Sequence, residues 1–576
     1  MRHLLFLAML GVGLASGPAA AQADIATWRE GLTSLAADIR AIHPNPFTKT
    51  GSLTFAREVD RLQSDLPMLS EKQRIVRAMK LVALIGDGHT QLEPTGPEWR
   101  RWYPVRMQEY ADGYFITSAH RSVRDLAGAE VLEIAGRPVR EVAEAARDLM
   151  GADNQFDRKT RLYAIHNESL MQGLGYARGD GALPLKARLR SGKVVERSLK
   201  AATQDDPRFT AADTIFEWVY PSEVYGLGIG TPDDWVAAFR DTPSSGFLKT
   251  DPARPLHLSE RTRYFSRNVP ENKAFYIQLN QIDDTTFVQF IEDSLTEVDR
   301  VRPERLIIDM RNNFGGDASR ALEAIHAFVR REPNPSWREA YVLTGPKTFS
   351  AAVLTLHSII ANVPVTLVGE PAAAALNSYG DAVAKSYPDV GFRAEISTLL
   401  HQKSDSNDVR AFLPVDVPAP LKFEDYLSGR DSAVDPILAG ADMRSLPQII
   451  RAEGGPEARA VYRRRQAEFR ALDWWSPPTE IELRRACDFH IDAKKFAEAV
   501  EACKLTTEIH PFVWNSWYNL GQAQRQAGMM QERLASYRCV LALYPTNFNG
   551  PALRRAISES KVPVPLAAGC PVQSAG

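Results

Sequence analysis

The sequence predicts an α/β protein built on a parallel sheet, and three consecutive segments carry that prediction. The apolar run Leu306–Ile308 is typical of a strand buried on both faces, and it passes through a polar turn into a helix predicted over 318–330. A second strand, 341–345, leads through a turn containing Ser350 into a helix that ends near 362, and a third strand follows over 363–368. Strands that alternate with helices in this way form parallel sheets.

The first turn contains a pair of glycines, Gly315 and Gly316. Glycines let the backbone approach a substrate closely and direct N–H groups at an oxyanion. In the second turn Ser350 precedes a helix, where the N–H of Ala351 has no acceptor within the helix. Both turns are therefore candidates for a catalytic site. A tight strand-to-helix turn without chemistry is the alternative for the first turn taken alone.

The order of three motifs resembles the tail-specific, or C-terminal-processing, serine proteases and their tricorn-like relatives. The motifs are DxRNNxGG from Asp309, then TFS ending at Ser350, then VGEP from Val368. The segment EDYLSGRD, 424–431, is similar to the usual end of that family's catalytic domain. The resemblance covers roughly 24–440. It implies a crotonase-like (ClpP-type) α/β core and a serine nucleophile at Ser350.

A serine hydroxyl is a weak nucleophile and needs a neighbouring base. The tail-specific members of the family use a lysine, but Ala375 occupies the matching position here, which excludes a Ser–Lys dyad there. Tricorn-like members use a histidine after an N-terminal helix, and His89 in the segment DGHT matches it. His43 is the other candidate, although its His-Pro-Asn setting fits a helix stop better.

The base also needs an orienting partner. The resemblance implies a serine before the histidine and a later glutamate, but Gly88 stands before His89. Asp87, Glu370 and Glu395 therefore remain three alternative carboxylates.

The remaining parts of the site are an oxyanion hole and its scaffold. The expected oxyanion donors are the N–H of Ala351 and that of either Gly315 or Gly316, whereas Asp309 and Arg311 are expected to hold the turn. The sequence has neither a metal-ligand cluster nor a nucleotide-binding loop, so we expect no cofactor and no metal.

The chain start predicts export. Met1–Ala23 has a basic residue, an apolar run and a small-x-small cleavage site, as signal peptides do. A short membrane anchor is the alternative, but the run is too short to span comfortably, and no later run is long enough. We therefore expect a periplasmic or secreted protein after cleavage near Ala23. A net charge of −2 over 576 residues gives no basic footprint for nucleic acid.

Composition and motifs divide the rest of the chain into five regions. The segment 127–139 resembles the core strand and turn of PDZ domains. The predicted regions are a helical domain over 24–98, a β-rich PDZ-like region over 99–202, an irregular insertion over 203–268, a catalytic α/β domain over 269–445, and a helical tail over 446–576.

The tail contains two copies of one helical pattern, in which Pro511 and Pro545 are in register. Trp517, Leu520 and Gly521 in the second copy resemble a tetratricopeptide repeat. One interpretation is a groove that binds a protein partner. The alternative is a helical extension that packs on the core or dimerises.

All 4 cysteines lie in this tail. An exported chain meets oxidising conditions, so an even number of clustered cysteines indicates disulfides. Cys487 and Cys503 fall at repeat positions that face each other, which makes Cys487–Cys503 the first choice and leaves Cys539–Cys570. Four buried thiols are the alternative.

The resulting hypothesis is an exported serine endopeptidase that hydrolyses polypeptide substrates through Ser350 and His89. Two alternatives remain open. The first is a catalytically inactive relative that binds a peptide or ligand. Departures from the family's pattern at Gly88, Ala352 and Ala375 support this alternative. The second is a hydrolase of other esters or amides, since one fold hosts several chemistries.

Overall fold

The computed structural model of the chain describes residues 24–203, 235–238, 263–282, 285–331 and 334–571. The predicted signal peptide and most of the predicted insertion over 203–268 lie outside these residues. None of the described helices is long and apolar enough to cross a membrane.

Three helices form the N-terminal part, namely α1 (Ile25–Ile42), α2 (Ser52–Asp65) and α3 (Glu71–Ala83). Apolar residues recur along α1 at helical spacing, and Trp28, Leu32 and Ile39 are all buried. A capping box between Ser70 and Gln73 starts α3. The loop that follows α3 carries the segment DGHT, so α3 fixes where that loop leaves the helical layer.

The next region combines strands and helices. Its strands are β1 (Gln91–Pro94), β2 (Arg101–Trp102), β3 (Val105–Tyr110), β4 (Gly113–His120), β5 (Glu130–Ile134), β6 (Arg137–Pro138), β7 (Leu183–Arg188), β8 (Val194–Leu199), β9 (Ala202–Thr203) and β10 (Trp235–Ala237). Its helices are α4 (Val139–Arg147), α5 (Gln155–Thr160), α6 (Tyr163–His166) and α7 (Glu168–Gly173). The main sheet is antiparallel with the order β10-β4-β5-β7-β8, while β3 pairs with β4 and β6 with β5.

The region predicted as the catalytic α/β domain contains the predicted parallel core. Its strands are β11 (Tyr264–Val269), β12 (Ala274–Leu279), β13 (Arg305–Asp309), β14 (Glu339–Thr344), β15 (Thr366–Gly369), β16 (Asn377–Gly380), β17 (Val383–Tyr387), β18 (Phe392–Ile396), β19 (Leu399–Gln402) and β20 (Val417–Pro418). Its helices are α8 (Thr285–Val301), α9 (Ala318–Arg331) and α10 (Ala351–Asn362). The sheet order is β11-β12-β13-β14-β15-β20, in which only the β11–β12 pair is antiparallel.

One hairpin of the catalytic region joins the N-terminal half. Strand β18 pairs with β17 and also with β1, with Gln91 opposite Glu395. Phe392 and Tyr387 are buried in the same hydrophobic core as the N-terminal helices, and the rings of Trp28 and Phe392 lie 6.0 Å apart. This hairpin ties the segment just after His89 to the catalytic half, which is how residues distant in the chain come to one cleft.

The rest of the chain, from residue 423 on, consists of helices and loops over its described residues, and the predicted tail begins at residue 446. Its helices are α11 (Phe423–Ser428), α12 (Val434–Leu438), α13 (Leu446–Glu453), α14 (Gly455–Phe469), α15 (Glu480–Asp492), α16 (Phe496–Ile509), α17 (Trp514–Gln526), α18 (Met530–Leu543) and α19 (Gly550–Ser558). Helices α13 to α19 share a hydrophobic core of their own. Gly521 lets α17 approach α18 closely, because a Cβ there would lie 2.4 Å from the Tyr537 ring.

Two disulfides hold this tail. Cys487 of α15 is bonded to Cys503 of α16, with their Cα atoms 5.5 Å apart. Cys539 of α18 is bonded to Cys570 beyond α19, with their Cα atoms 5.9 Å apart. The first bond links two neighbouring helices, and the second ties the last described segment back to α18.

Candidate active site

Ser350 occupies the turn between β14 and α10. Its backbone has φ +51° and ψ −129°, a conformation that non-glycine residues rarely adopt. Although it is the N-cap residue of α10, its side chain makes no capping hydrogen bond. The Phe349 N–H donates to the Asn313 carbonyl, and the Thr348 hydroxyl donates to the Met310 carbonyl. These bonds tie the serine turn to the Gly-Gly turn and leave the Ser350 hydroxyl free to face the cleft.

His89 lies directly against this serine. Nε2 of His89 is 2.9 Å from Oγ of Ser350, which is hydrogen-bonding distance. The imidazole also stacks on the Phe349 ring with a centre-to-centre distance of 4.4 Å. Its side chain is 19% exposed, so the ring is largely shielded but still reaches the cleft. The structure thus brings together a serine hydroxyl and an imidazole.

Asp87 is the carboxylate beside this histidine. Its Oδ1 accepts the His89 backbone N–H at 2.9 Å and lies 3.9 Å from Nδ1 of the ring. Its Oδ2 accepts from the hydroxyls of Thr90 at 2.6 Å and Ser397 at 2.5 Å. Nε2 of His43 approaches the same Oδ2 at 3.3 Å. Because Nδ1 of His43 accepts the Asn45 N–H, Nε2 of His43 must be the nitrogen that donates.

The surroundings shift the pKa values of both groups. Burial raises the pKa of Asp87, but the hydrogen bond from His43, the charge of His89 and the hydrogen bonds from Ser397 and Thr90 outweigh it. As a result, the pKa of Asp87 lies well below the usual range for aspartate. Burial lowers the pKa of His89, and the Asp87 charge opposes that shift only in part. An ionised carboxylate beside a neutral imidazole is the arrangement that a general base needs.

Gly316 and Ala351 line the same cleft as Ser350. The Gly315 N–H is committed to Oδ1 of Asn313 at 2.8 Å. The N–H groups of Gly316 and Ala351 have no acceptor among the described residues. Of the two glycines left open by the sequence, Gly316 is therefore the one with an unused donor.

Both glycines are required by their surroundings. A Cβ on Gly316 would lie 1.6 Å from the Ile282 carbonyl oxygen, and a Cβ on Gly315 would lie 2.7 Å from the Ala351 nitrogen. Their φ angles of +137° and +103° also favour glycine. The Gly-Gly turn can pack against the start of α10 only because neither residue has a side chain.

Asp309 and Arg311 form an ion pair at the start of this turn. The Arg311 guanidinium donates to Asp309 at 2.6 Å and to Asp431 at 2.7 Å, and the Tyr276 hydroxyl donates to Asp309. Burial alone would lower the pKa of Arg311, but the two carboxylates raise it well above its usual value. Arg311 is therefore a permanent charge that links the end of β13 to the segment before α12.

The other two candidate carboxylates lie elsewhere. Glu370 accepts from Nζ of Lys159 at 2.7 Å. Glu395 lies on β18, 3.7 Å from Arg393. Neither is positioned to orient His89, which leaves Asp87 as the carboxylate beside the ring.

Ser350 and His89 line a cleft of about 300 Å³. Its wall includes Gly316, Asp317, Tyr379, Asp381 and His401 besides Ser350 and His89. His401 lies 3.5 Å from Asp381, and a Cβ on Gly380 would lie 3.1 Å from the His401 ring and 3.9 Å from the His89 ring. Cavities of this size hold a few side chains of a ligand.

Asp87, His89 and Asp153 each offer one potential metal-ligand atom within 4.8 Å of one another. Their chemistry does not fit a metal site. Both oxygens of Asp87 already accept hydrogen bonds from the His89 N–H and the Thr90 hydroxyl. Burial, together with the charges of Asp87 and Asp157, raises the pKa of Asp153 well above its usual range, which favours its neutral form.

Several residues around His89 were not indicated by the sequence. Ser397 and Arg161 approach the His89 loop from distant segments, and no local pattern marks them. His43 was a candidate base, but its His-Pro-Asn setting fits a helix stop better, and its contact with Asp87 had no local signal. His401 lies in a short strand of ordinary composition.

Comparison with known proteins gives similarity in structure and not in sequence. No known protein-family profile matches the chain, and no curated protein sequence matches it. The crystal structure of a serine-to-alanine mutant of CPAF matches with a TM-score of 0.50 and 13% identity, over 70% of this chain and 95% of that one. At this identity the likeness is one of fold.

Two further structures give weaker matches. Mature CPAF has a TM-score of 0.47 and 13% identity, covering 73% of this chain and 98% of that chain. The tricorn protease has a TM-score of 0.31 and 12% identity, covering 72% of this chain and 36% of that chain. The match to the CPAF mutant shows that the two chains share a mixed α/β fold, and the other structural neighbours include proteins named as a tricorn protease and an S41 protease.

Proposed function

We propose that this protein is an exported serine endopeptidase in which Ser350 is the nucleophile, His89 the general base and Asp87 the orienting carboxylate. The 2.9 Å approach of His89 Nε2 to Ser350 Oγ carries the proposal. It is supported by the N–H groups of Gly316 and Ala351, which have no acceptor among the described residues and belong to residues that line the same cleft. Nucleophile, base and oxyanion donors in one cleft are the parts that acyl transfer requires.

The reaction follows from this geometry. As Oγ attacks the substrate carbonyl carbon, the Ser350 proton moves to Nε2 of His89 and the carbonyl electrons move to oxygen. The N–H groups of Gly316 and Ala351 stabilise that oxyanion. Collapse of the intermediate breaks the C–N bond, and the leaving amine takes the proton from Nε2. Water then attacks the acyl-enzyme, gives a proton to Nε2, and releases the acid as Ser350 regains its proton.

Asp87 has two parts in this scheme. It stabilises the imidazolium that forms during each proton transfer, and it favours the tautomer with hydrogen on Nδ1. The present separation of 3.9 Å is longer than a hydrogen bond. Catalytic hydrogen bonds are often long in the free enzyme and shorten when substrate binds.

We further assign the parallel core to the crotonase-like class and the β-rich region to a PDZ-like module. The module does not offer β3 as an open edge for strand addition. Its Met107 N–H donates to Nε2 of His166, and the N–H of Ala111 just beyond the strand donates to the Leu421 carbonyl. We expect polypeptide substrates at the Ser350 cleft, because it holds the proposed nucleophile and base.

For the two ends of the chain, we propose that residues 1–23 are removed on export to the periplasm or outside the cell. We also propose that the tetratricopeptide-like tail offers a surface to a protein partner. The disulfides of the tail support an oxidising compartment.

A fluorophosphonate probe tests the proposed nucleophile, because such probes phosphonylate activated serines. The wild type should label at Ser350, and Ser350→Ala should not label. Ser358→Ala is a matched control on α10, since the Ser358 hydroxyl only donates to the Leu354 carbonyl. Equal labelling of the wild type and Ser350→Ala would reject the assignment, and no labelling of either protein would favour a non-catalytic relative.

A substrate profile then separates a peptidase from a hydrolase of other esters. A peptide library and a panel of non-peptide esters should be compared on protein whose Ser350 labels. Ser350-dependent cleavage of internal peptide bonds is the expected result. Turnover of esters alone would overturn the assignment as an endopeptidase.

A further inference from the structure

Arg161 lies behind the His89 loop and takes no part in the proposed reaction. It follows α5, is only 8% exposed, and donates from Nε to Oδ1 of Asp157 at 2.7 Å. Its Nη2 donates to the carbonyl oxygen of Gly88 at 3.2 Å. Arg161 therefore holds the residue immediately before His89.

Arg161 also reaches the serine turn through Phe349. Its guanidinium carbon lies 5.4 Å from the centre of the Phe349 ring, the distance of a cation–π contact. The same ring stacks on His89 with 21° between the two planes. The Phe349 ring therefore contacts both His89 and Arg161. Phe349 also directly precedes Ser350 in the chain, so the same residue is joined to the proposed nucleophile.

The absence of a side chain at Gly88 makes this arrangement possible. A Cβ there would lie 2.8 Å from the edge of the Phe349 ring and 2.6 Å from Oδ2 of Asp157. This is the position at which the sequence departs from a serine-before-histidine pattern. The space is filled here by the Phe349 ring and by the Asp157–Arg161 pair.

The segment that carries Arg161 is anchored to both halves of the site. The Gly88 N–H donates to Oδ1 of Asp153 at 3.0 Å. Nδ2 of Asn154 donates to the carbonyl oxygen of Ala372, and Lys159 pairs with Glu370. Residues 153–161 therefore bridge the His89 loop and the segment after β15, which gives Arg161 a fixed platform.

We propose that Arg161 is a positioning residue that sets the ring plane of His89 and keeps that ring uncharged, acting through Phe349 and the Gly88 carbonyl. The inference rests on the proposed function, since it assigns His89 as the base. The hydrogen bond from Arg161 to the Gly88 carbonyl restricts the loop that carries His89. The contact of Arg161 with Phe349 restricts the ring that stacks on His89. A buried positive charge so close also disfavours a second one on the imidazole.

Four charged groups face His89. Asp87 and Asp381 favour its protonated form, whereas Arg161 and His401 disfavour it. Burial lowers the pKa of His89, and Arg161 adds to that lowering. Loss of the Arg161 charge should therefore raise the pKa of His89, leaving a larger fraction of the base protonated, and inactive, near neutral pH.

The test is a titration of the His89 ring by NMR on protein labelled with ¹³C-histidine, with the resonance assigned by its loss in His89→Gln. In Arg161→Gln the midpoint should move to higher pH, and in Arg161→Lys, which keeps the charge, it should stay near the wild-type value. Arg158→Gln is the matched control. Arg158 lies on the same segment, but it pairs with Glu144 and Asp148 at the surface. An unchanged midpoint in Arg161→Gln would overturn the charge effect.

The positioning effect is measured by kinetics. Lysine cannot bridge Asp157 and Gly88 with a planar fork, so Arg161→Lys should lose about 10- to 100-fold in kcat with KM almost unchanged. A kcat equal to that of Arg158→Gln would overturn the positioning role. If Arg161→Gln does not fold, Arg161→Lys still decides this point.

The titration needs no turnover, so failure of the proposed function is distinguishable from failure of this inference. Absence of Ser350 labelling in the wild type would reject the peptidase. The ring titration would still decide whether Arg161 controls the charge of His89.

Discussion

Nε2 of His89 lies 2.9 Å from Oγ of Ser350, although 261 positions separate the two residues in the chain. His89 comes from the loop after α3, and Ser350 comes from the turn before α10. The contact exists because β1 pairs with β18 and because residues 153–161 bridge the two halves. The expectations below test what this contact does.

The first prediction concerns the base. His89→Gln should lower kcat by roughly 10²- to 10⁴-fold, the usual contribution of a general base, because glutamine cannot accept and return the proton. Thermal stability should change little, since the ring is partly exposed. Near wild-type turnover in His89→Gln would remove His89 from the mechanism.

The pH profile gives an independent check on the same residue. Burial lowers the pKa of His89 from the usual 6.5, and the base works only when neutral. Activity should therefore already be on its plateau at pH 7 and should fall on the acid side, with a midpoint below 6.5. A rate that keeps rising towards strongly alkaline pH would indicate a lysine base instead.

The second prediction concerns Asp87→Asn. The hydrogen bonds and the charge around Asp87 hold its pKa well below the usual range, so it is ionised throughout the working pH range. Removing that charge should lower the pKa of His89 further, because Asp87 raises it. The plateau rate should fall by about 10²- to 10⁴-fold, while the acid limb moves to lower pH. An acid limb that moves to higher pH would contradict this role.

The third prediction tests the oxyanion region with Gly315→Ala. The new Cβ would lie 2.7 Å from the Ala351 nitrogen, one of the two proposed donors. Loss of one such donor lowers kcat by about 10²- to 10³-fold. Gly136→Ala is the control, since Gly136 also has a positive φ but its Cβ would meet nothing within 4 Å. If both variants lose activity equally, backbone strain and not the donor is responsible.

The fourth prediction concerns acid stability. His166 is buried, its Nε2 accepts the Met107 N–H, and burial lowers its pKa to about 3. The unfolded chain, with a histidine pKa of about 6.5, binds this proton first, so stability is lost as pH falls from about 6.5 towards 3.

The slope from His166 is at most about 1.4 kcal/mol per pH unit. His166→Gln keeps an acceptor but cannot titrate. Denaturant unfolding at several pH values should therefore show a shallower loss of stability below pH 6.5 in this variant. An identical slope in both proteins would show that His166 does not contribute.

The fifth prediction concerns the tail. The Cys487–Cys503 bond closes a loop of 16 residues, and such a bond stabilises by about 3 kcal/mol in the chain-entropy model. The paired variant Cys487→Ala/Cys503→Ala should unfold its tail at lower temperature, while Ser350 labelling persists. Non-reducing peptide mapping is the direct check. Four alkylatable thiols, or a Cys503–Cys539 bridge, would contradict the assigned pairs.

The local pattern of the chain was enough to predict the central part of the fold. The runs around Leu306 and Tyr341 became β13 and β14 of a parallel sheet, as their burial on both faces required. Helices α9 and α10 lie within a few residues of their predicted bounds, since periodic apolar residues mark helices. The tail cysteines are bonded in the pairs that the repeat register favoured.

The region 99–202 was harder to predict. It contains four helices that the β-rich reading omitted, because short helices such as α6 and α7 have too few turns to show a period. The N-terminal helices also share one core with this region and with the β17–β18 hairpin, so the predicted boundary at 98 does not separate two cores. Long-range pairing of β1 with β18 has no local signature.

The sequence by itself determined the residue types that the chemistry needs. Three of these features are local: a serine at a strand-to-helix turn, two glycines after a buried strand, and a histidine after a helix. They can be recognised from residue spacing and backbone preference. Only the tertiary structure decided which groups meet. It placed Asp87, and not Glu370 or Glu395, beside the His89 ring. It left the Gly316 N–H without an acceptor among the described residues, and it brought Arg161 to His89 through Phe349. The physical reason is that a distance between two side chains depends on how separate segments pack, and packing is a property of the whole fold.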